Sequence, residues 1–321
     1  LREVTRKRLM VFSGSAHREL GEEVATGLGV VLGNIEISRF SNGEIYVRLL
    51  ESVRGVDAFV IQTSAEPVND NLMELLLIID ALKRASAKRI TVVMPYYCYS
   101  RQDKKTLARE PISARLIADL LSVAGANRVL SVDLHAGQIQ GFFDFPFDHI
   151  TALPLLASHI VQKNLKDVVI VSPDAGRVKV AKKYADRLRV PMAIMHKRRP
   201  EKNVAEMLHV IGEVEGKTAV LIDDMVDTAG TMVEAASALK KNGAKEIFAC
   251  ATHPILSGSA VERIGVSDIK ELVITNTLPV PPEKKIDKIN VLSIAPLLAN
   301  TVMAVFREES VSEISGGDNQ P

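Results

Sequence analysis

Apolar residues fall into two patterns along this chain. In the first they form short unbroken runs: AFVIQ at 58–62, RITVVMPYY at 89–97, RVLSVDLH at 128–135, DVVIVSPD at 167–174 and KTAVLIDD at 217–224. These runs do not alternate apolar with polar positions. They predict strands covered on both faces, as in parallel sheets flanked by helices. In the second pattern apolar residues recur three or four apart. Leu72, Leu75, Leu76, Ile79 and Leu82 do so within 71–84, and Val178, Ala181, Ala185 and Leu188 do so after Asp174. That spacing gathers side chains on one face of a helix. Strand–helix alternation predicts an α/β fold with right-handed crossovers.

A short theme recurs at 84–93, 123–132 and 241–250, where a helix ends and small residues lead into a strand. Any αβ connection favours glycine or another small residue at the helix end. The theme alone is therefore weak evidence of duplication, but it fits two similar α/β halves. The 321 residues agree with about two domains of roughly 150 residues each. The boundary is expected at TALPLLA, 151–157, after the Phe- and Pro-rich GFFDFPFD. The expected division is 1–150, 151–305 and a tail from 306 to 321, whose last residues, SGGDNQP, read as disordered.

Charge narrows the partners. Forty basic and 39 acidic residues leave a formal net charge of +1, which argues against bulk electrostatic binding of nucleic acid or anionic membrane. A local basic pocket for a small polyphosphate stays open. The basic start, LREVTRKR, is followed only by the apolar run LMVF, too short for a signal peptide or a membrane span. Cys98 and Cys250 form no CxxC pair and read as buried thiols of a reducing cytoplasm.

The densest chemistry lies in VLIDDMVDTAGT at 220–231. A buried strand ends in Asp223 and Asp224, a short loop follows, and a helix opens that carries Val233, Ala236 and Leu239 and ends at Gly243. Ligands of open α/β sheets bind beyond the carboxyl ends of strands. A small-residue loop before a helix offers unpaired backbone N–H groups to a phosphate, and Thr228 and Thr231 add hydroxyl donors. Carboxylates repel phosphate. They suit sugar hydroxyls, which need acceptors, or a hard cation such as Mg2+. The combination points to a phosphorylated sugar. GEVEGKT at 212–218 superficially resembles a Walker A loop, but position 211 is Ile where that loop needs Gly, and the segment precedes a strand. It reads as a turn.

Other segments allow two readings when taken alone. KRRPEKN at 197–203, after the strand PMAIMH, is either a solvated loop or a basic flap able to cover a polyphosphate. YSRQDKK at 99–105 is either an exposed charged loop or a site where Arg101 holds phosphate and Gln102 a base. FSNGEIYV at 40–47 contains a hairpin-turn signal. SVDLHAGQIQGFF at 131–143 places Asp133 and His135 at a strand end, where a metal or phosphate role is open beside a structural one.

VLIDDMVDTAGT closely resembles the ribose-phosphate-binding loop of type I phosphoribosyltransferases and of ribose-phosphate diphosphokinases, the PRPP synthetases. The remaining motifs favour the synthetases, because the resemblance runs from about residue 9 to 308 and takes in five separate motifs. It implies two type I phosphoribosyltransferase-like domains, each a mostly parallel sheet flanked by helices. It implies transfer of the diphosphoryl group of Mg-ATP to the C1 hydroxyl of ribose 5-phosphate, giving 5-phosphoribosyl 1-diphosphate and AMP. By the same resemblance Asp223, Asp224, Asp227, Thr228, Ala229, Gly230 and Thr231 bind ribose 5-phosphate, while Lys197 and Arg199 of a mobile loop stabilise the transition state. Phe40, Asn42 and Glu44 meet adenine, and Arg101, Gln102 and Asp103 complete the ATP site. His135 and Asp174 associate with Mg2+. The loop after Asp174 cradles the diphosphate, and Arg177 stands where many members have a second glycine.

The resemblance also implies a homohexamer activated by inorganic phosphate and inhibited by ADP. Its regulatory anion site would draw on Ser52, Arg54, Ser86, Lys104 or Lys105, Ser310 and Ser312. After Ser312 the chain reads Glu313, Ile314, Ser315, where the family often has aromatic residues. A phosphoribosyltransferase would lack the ATP segments. A non-catalytic homologue would tend to lose the catalytic segments, and Lys197, Arg199, Asp223 and Asp224 are all present.

Overall fold

The structure, a computed structural model, describes residues 7–198 and 207–314. The chain forms two compact units. Of the described residues, one comprises 7–151, 277–279 and 294–314; the other comprises 152–198, 207–276 and 280–293.

The first unit carries β1 (Leu9–Ser13), α1 (Arg18–Gly27), β2 (Ile35–Arg39), β3 (Ile45–Leu49), β4 (Asp57–Ile61), α2 (Val68–Arg84), β5 (Arg89–Val93), α3 (Ser113–Ala124), β6 (Arg128–Val132) and β7 (Phe147–Ile150). Five of these strands form a parallel sheet in the order β1-β4-β5-β6-β7. Strands β2 and β3 pair separately as an antiparallel hairpin. All five residues of β4 are buried, as the unbroken apolar run predicts.

Helix α2 turns a slightly different face inward from the one its aliphatic spacing suggests. Leu75, Ile79 and Leu82 are buried as expected, but so are Ile78, Asn71 and Glu74. Burying each large aliphatic side chain stabilises by about 1.5–3 kcal/mol. The polar pair is tolerated because it is satisfied. The Glu74 carboxylate accepts from Ser15 N–H (2.6 Å), Ser15 Oγ (2.6 Å) and Gln62 Nε2 (2.9 Å), and Asn71 Nδ2 donates to Ala65 C=O (2.9 Å).

The second unit carries α4 (Leu153–Gln162), β8 (Val168–Ser172), α5 (Val178–Leu188), β9 (Met192–Arg198), β10 (Met207–Ile211), β11 (Thr218–Val226), α6 (Gly230–Lys241), β12 (Glu246–Pro254), α7 (Ala260–Val266), β13 (Glu271–Thr275) and β14 (Ile289–Leu292). Its seven strands run β10-β9-β8-β11-β12-β13-β14. All neighbours are parallel except β10, an antiparallel edge strand beside β9.

The last helix, α8 (Ala295–Arg307), groups with the first unit, whereas the division expected from the sequence places residues up to 305 in the second. Its buried face includes Leu298, Ala299, Val302 and Val305. Where it meets α1 the backbones come close: a Cβ on Gly27 would lie 3.0 Å from Ala299 Cβ. Periodicity shows that a helix has an apolar face but not which sheet that face covers. Among the described residues, no helix is long and apolar enough to cross a membrane.

Candidate active site

In the second unit β11 lies between β8 and β12. Its first five residues are buried, and Asp223 and Asp224 come near its carboxyl end. The loop that follows is fastened at several points. Leu256 N–H donates to Val226 C=O (2.9 Å), Ser257 N–H to Asp227 C=O (2.9 Å), and Arg263 Nη1 to Thr228 C=O (3.1 Å). Ala229 caps α6 in the left-handed region, φ 60° and ψ 1°. The first bond of the helix runs from Val233 N–H to Ala229 C=O (3.0 Å). The amides of Gly230, Thr231 and Met232 therefore have no carbonyl of their own helix to bond, and the positive end of the helix dipole adds to their pull on an anion. Asp227, Thr228, Ala229, Gly230 and Thr231 thus sit on one loop-to-helix junction, with the acid pair just before it.

The acid pair has a partner that spacing did not reveal. Arg177 ends a 3-10 turn, Ala175–Arg177, that opens α5. Its Nη2 lies 2.5 Å from Asp224 Oδ2 and its Nε 3.5 Å from Asp223 Oδ1. The guanidinium thus faces the two carboxylates. The backbone N–H of Arg177 donates to Asp174 Oδ1 (3.0 Å), so Asp174, itself exposed, caps the same turn. Asp224 N–H donates to Asp223 Oδ1 (2.8 Å). Burial, and then the neighbouring Asp224 charge, push the Asp223 carboxyl well above its ordinary range, against the opposing pull of Arg177.

Lys197 lies on β9, its backbone paired with Leu208 of β10. The strand therefore continues into the start of the basic segment, where the sequence suggests a loop. Arg199 lies outside the described residues.

In the first unit the β2–β3 turn holds Phe40, Asn42 and Glu44. Phe40 is 56% exposed, and its ring stands edge-on to Tyr46 at 5.9 Å. Asn42 Oδ1 accepts from Glu44 N–H (3.2 Å), and Gly43 takes φ 92°. The second segment follows β5. Arg101 is exposed, Gln102 Oε1 accepts from Ser113 Oγ (2.6 Å), and the buried Asp103 accepts from Gln138 Nε2. Both segments are tied to the start of α2. Arg39, just before Phe40, pairs with Asp70 at 3.0 Å, and the Tyr99 hydroxyl, two residues before Arg101, donates to Asn69. Adjacent residues of one helix thus anchor both. His135 follows β6 in a half-buried turn, and the neighbouring Leu134 N–H donates to His149 Nε2 (3.0 Å).

The chain matches the N-terminal domain of ribose phosphate pyrophosphokinase over residues 9–125 and the phosphoribosyl synthetase-associated domain over 200–315. It is 57% identical to a ribose-phosphate pyrophosphokinase of Oceanobacillus iheyensis over 304 residues, 95% of this chain and 96% of that one. It is 55% identical to that of Bacillus subtilis over 306 residues, with the same coverage. The chain belongs to the ribose-phosphate pyrophosphokinase family. A solved phosphoribosylpyrophosphate synthetase from Mycobacterium smegmatis superposes with a TM-score of 0.90 at 52% identity, covering 94% of this chain and all of that one. The two α/β units are those of a ribose-phosphate pyrophosphokinase, the group that the five motifs favoured over the single-domain transferases.

The residues suggested for the regulatory anion site of these pyrophosphokinases are exposed where they are described. Ser52 and Arg54 lie on the turn after β3, and the next residue, Gly55, donates its N–H to Ser86 C=O (2.9 Å). Lys104 is exposed after β5, and Ser310 and Ser312 follow α8. Among the described residues, no three His, Cys, Asp or Glu side chains gather into a ready metal cage. The crowded Asp223–Asp224 pair supplies hard oxygen donors of the kind that suits Mg2+. Arg177 stands out in the sequence by its place after Gly176, but its pairing with the acids does not, and nothing in the sequence marks Arg263 or Gln138. Arginine and glutamine have no spacing signature, and each reaches its partner from another element.

Proposed function

We propose that this chain transfers the diphosphoryl group of Mg-ATP to the C1 hydroxyl of ribose 5-phosphate, giving 5-phosphoribosyl 1-diphosphate and AMP. The observation that carries the reading is the junction after β11: an acid pair for sugar hydroxyls just before a helix start whose amides can donate to a phosphate. Membership of the pyrophosphokinase family supports it over the whole chain.

The 5-phosphate of the pentose takes hydrogen bonds from the amides of residues 230–232 and from the hydroxyls of Thr228 and Thr231. Asp223 and Asp224 accept from the ribose hydroxyls. The segments at 40–44 and 101–103 bind ATP, with Phe40 against the adenine; its open ring face and the shared anchoring on Asn69 and Asp70 support this. The C1 oxygen attacks the β-phosphorus in line. A bond forms from that oxygen to the β-phosphorus, the bridge between the α- and β-phosphates breaks, and AMP leaves. Asp174 and the acid pair would hold Mg2+ in the second unit, with His135 a further candidate ligand, and the ion would supply neutralisation of phosphate charge. Catalysis is then mostly positioning and charge stabilisation, with no covalent enzyme intermediate. Lys197 and Arg199 stabilise the charge that develops on the migrating group.

The same reading includes a homohexamer with phosphate as activator and ADP as inhibitor. Leu116, Leu120 and Val123 lie along one face of α3, with Ile112 just before it, and all four are exposed, which supports assembly between copies. The two free, buried cysteines support a reducing compartment, the cytoplasm. The test is a coupled assay of purified protein with ATP, Mg2+ and ribose 5-phosphate, following AMP with and without added phosphate. AMP that depends on the sugar phosphate is expected; release of ADP, or nucleotide turnover indifferent to the sugar, would refute the reading.

A further inference from the structure

Arg177 stands on a different element from the acids it faces. It ends the turn that opens α5, directly after β8, while Asp223 and Asp224 lie on the adjacent parallel strand β11. The three side chains are largely enclosed, at 12% exposure for Arg177, 20% for Asp223 and 7% for Asp224. Two enclosed carboxylates on successive residues repel each other, and each loses hydration. A fixed five-donor fork between them offsets that repulsion and fixes both planes at once, which a lysine point charge does not do. The same residue also bonds Asp174 through its main chain, so one side chain and one amide tie together the ends of two neighbouring strands.

We propose that Arg177 is a positioning residue for sugar recognition, bridging Asp223 and Asp224 so that the pair meets the ribose hydroxyls with fixed geometry. This rests on the reading above, in which that pair faces the pentose. Arg177 acts through the acids. The orientation of its guanidinium sets it apart from a residue presented to the diphosphate, the role its place in the sequence suggests. The phosphate end of the substrate, held by the amides of α6, lies outside its influence. Arg177 therefore governs how strongly the site distinguishes a sugar with its full set of hydroxyls from one lacking the 2-hydroxyl.

The test is calorimetric binding of ribose 5-phosphate and of 2-deoxyribose 5-phosphate, without ATP, to the full-length protein and to Arg177→Met, Arg177→Lys, Asp224→Asn and the double variant Arg177→Met/Asp224→Asn. Arg177→Met should weaken ribose 5-phosphate roughly tenfold, the loss expected of a charge-assisted contact, and 2-deoxyribose 5-phosphate by less than about threefold. Arg177→Lys should restore part of the discrimination. In the Asp224→Asn background, Arg177→Met should add less than about twofold, because coupled residues are not additive. Equal weakening of both sugar phosphates, or a full tenfold loss in the Asp224→Asn background, would overturn the proposal. If Arg177→Met fails to fold, Arg177→Lys decides: it should bind ribose 5-phosphate at least threefold more weakly than wild type, by about the share of energy a second donor contributes, and unchanged binding counts against the bridge. Wild-type protein that binds neither sugar phosphate would remove the pentose reading and this inference with it. Wild-type binding with an unchanged ratio in the variants would remove the inference alone.

Discussion

Paired charges in this chain work by satisfying neighbours, and their burial decides how much that matters. Glu271, at the start of β13, accepts from Lys163 and from Asn290 Nδ2 (3.0 Å), with His159 Nε2 3.8 Å away. Burial tends to raise its carboxyl pKa. Hydrogen bonds from Lys163 and Asn290, with the Lys163 charge, outweigh burial and leave it below the ordinary value. A carboxylate depressed in the folded state contributes stability above its unfolded pKa and loses it as pH falls through the folded one. Glu271→Gln should therefore lower the thermal midpoint at pH 7. The gap to wild type should close as pH drops below the ordinary glutamate range. A gap that stays constant in a melting series from pH 7 to pH 3 would mean the ion pair is not its source. The Arg84–Asp80 and Lys182–Asp186 pairs are solvent-facing and contribute little by comparison.

At the scale of elements, the junction between β11 and α6 depends on one backbone conformation. Ala229 occupies the left-handed region without being glycine, and its side chain is buried. A β-branched residue there costs roughly 1–2 kcal/mol of strain. Ala229→Val should therefore lower both the melting midpoint and ribose 5-phosphate affinity, while Ala229→Gly keeps both. Binding by the valine variant as tight as wild type would show that the cradle does not rely on this turn. The fold was legible where one local rule decided. The five unbroken apolar runs became β4, β5, β6, β8 and β11, all interior strands, because burial on both faces leaves its mark in composition. In the edge strands β10 and β14 a polar residue, His209 or Asn290, interrupts the apolar run, so they gave no comparable signal. The phosphate loop was legible because aspartates, threonines and glycine share one short segment. Arg177 was not, because its contact depends on the adjacency of β8 and β11. Lys197 lies where β9 runs on into its pairing with β10, at the edge of the described residues. Its assigned role gives a separable prediction: Lys197→Ala should lower turnover far more than it weakens ribose 5-phosphate binding, and a parallel loss of both would contradict the transition-state role.

Across the whole molecule, the chain leaves its first unit near residue 151 and returns to it with α8. The C-terminal helix is thus part of the N-terminal core, packed on α1 where Ala299 faces Gly27. Ala299→Leu should destabilise by roughly 1–3 kcal/mol through overpacking, read as a lower urea midpoint. An unchanged midpoint would place α8 away from that core. The central claim concerns which phosphorus is attacked and by which oxygen, so the most direct measurement follows those atoms. Ribose 5-phosphate carrying 18O at C1 is incubated with protein and Mg-ATP, and the products are examined by 31P NMR. The account predicts AMP and 5-phosphoribosyl 1-diphosphate in equal amounts, with the label in the bridge between C1 and the phosphorus that was β in ATP, and no label in AMP. ADP as the nucleotide product, or 18O in the phosphate of AMP, would contradict it.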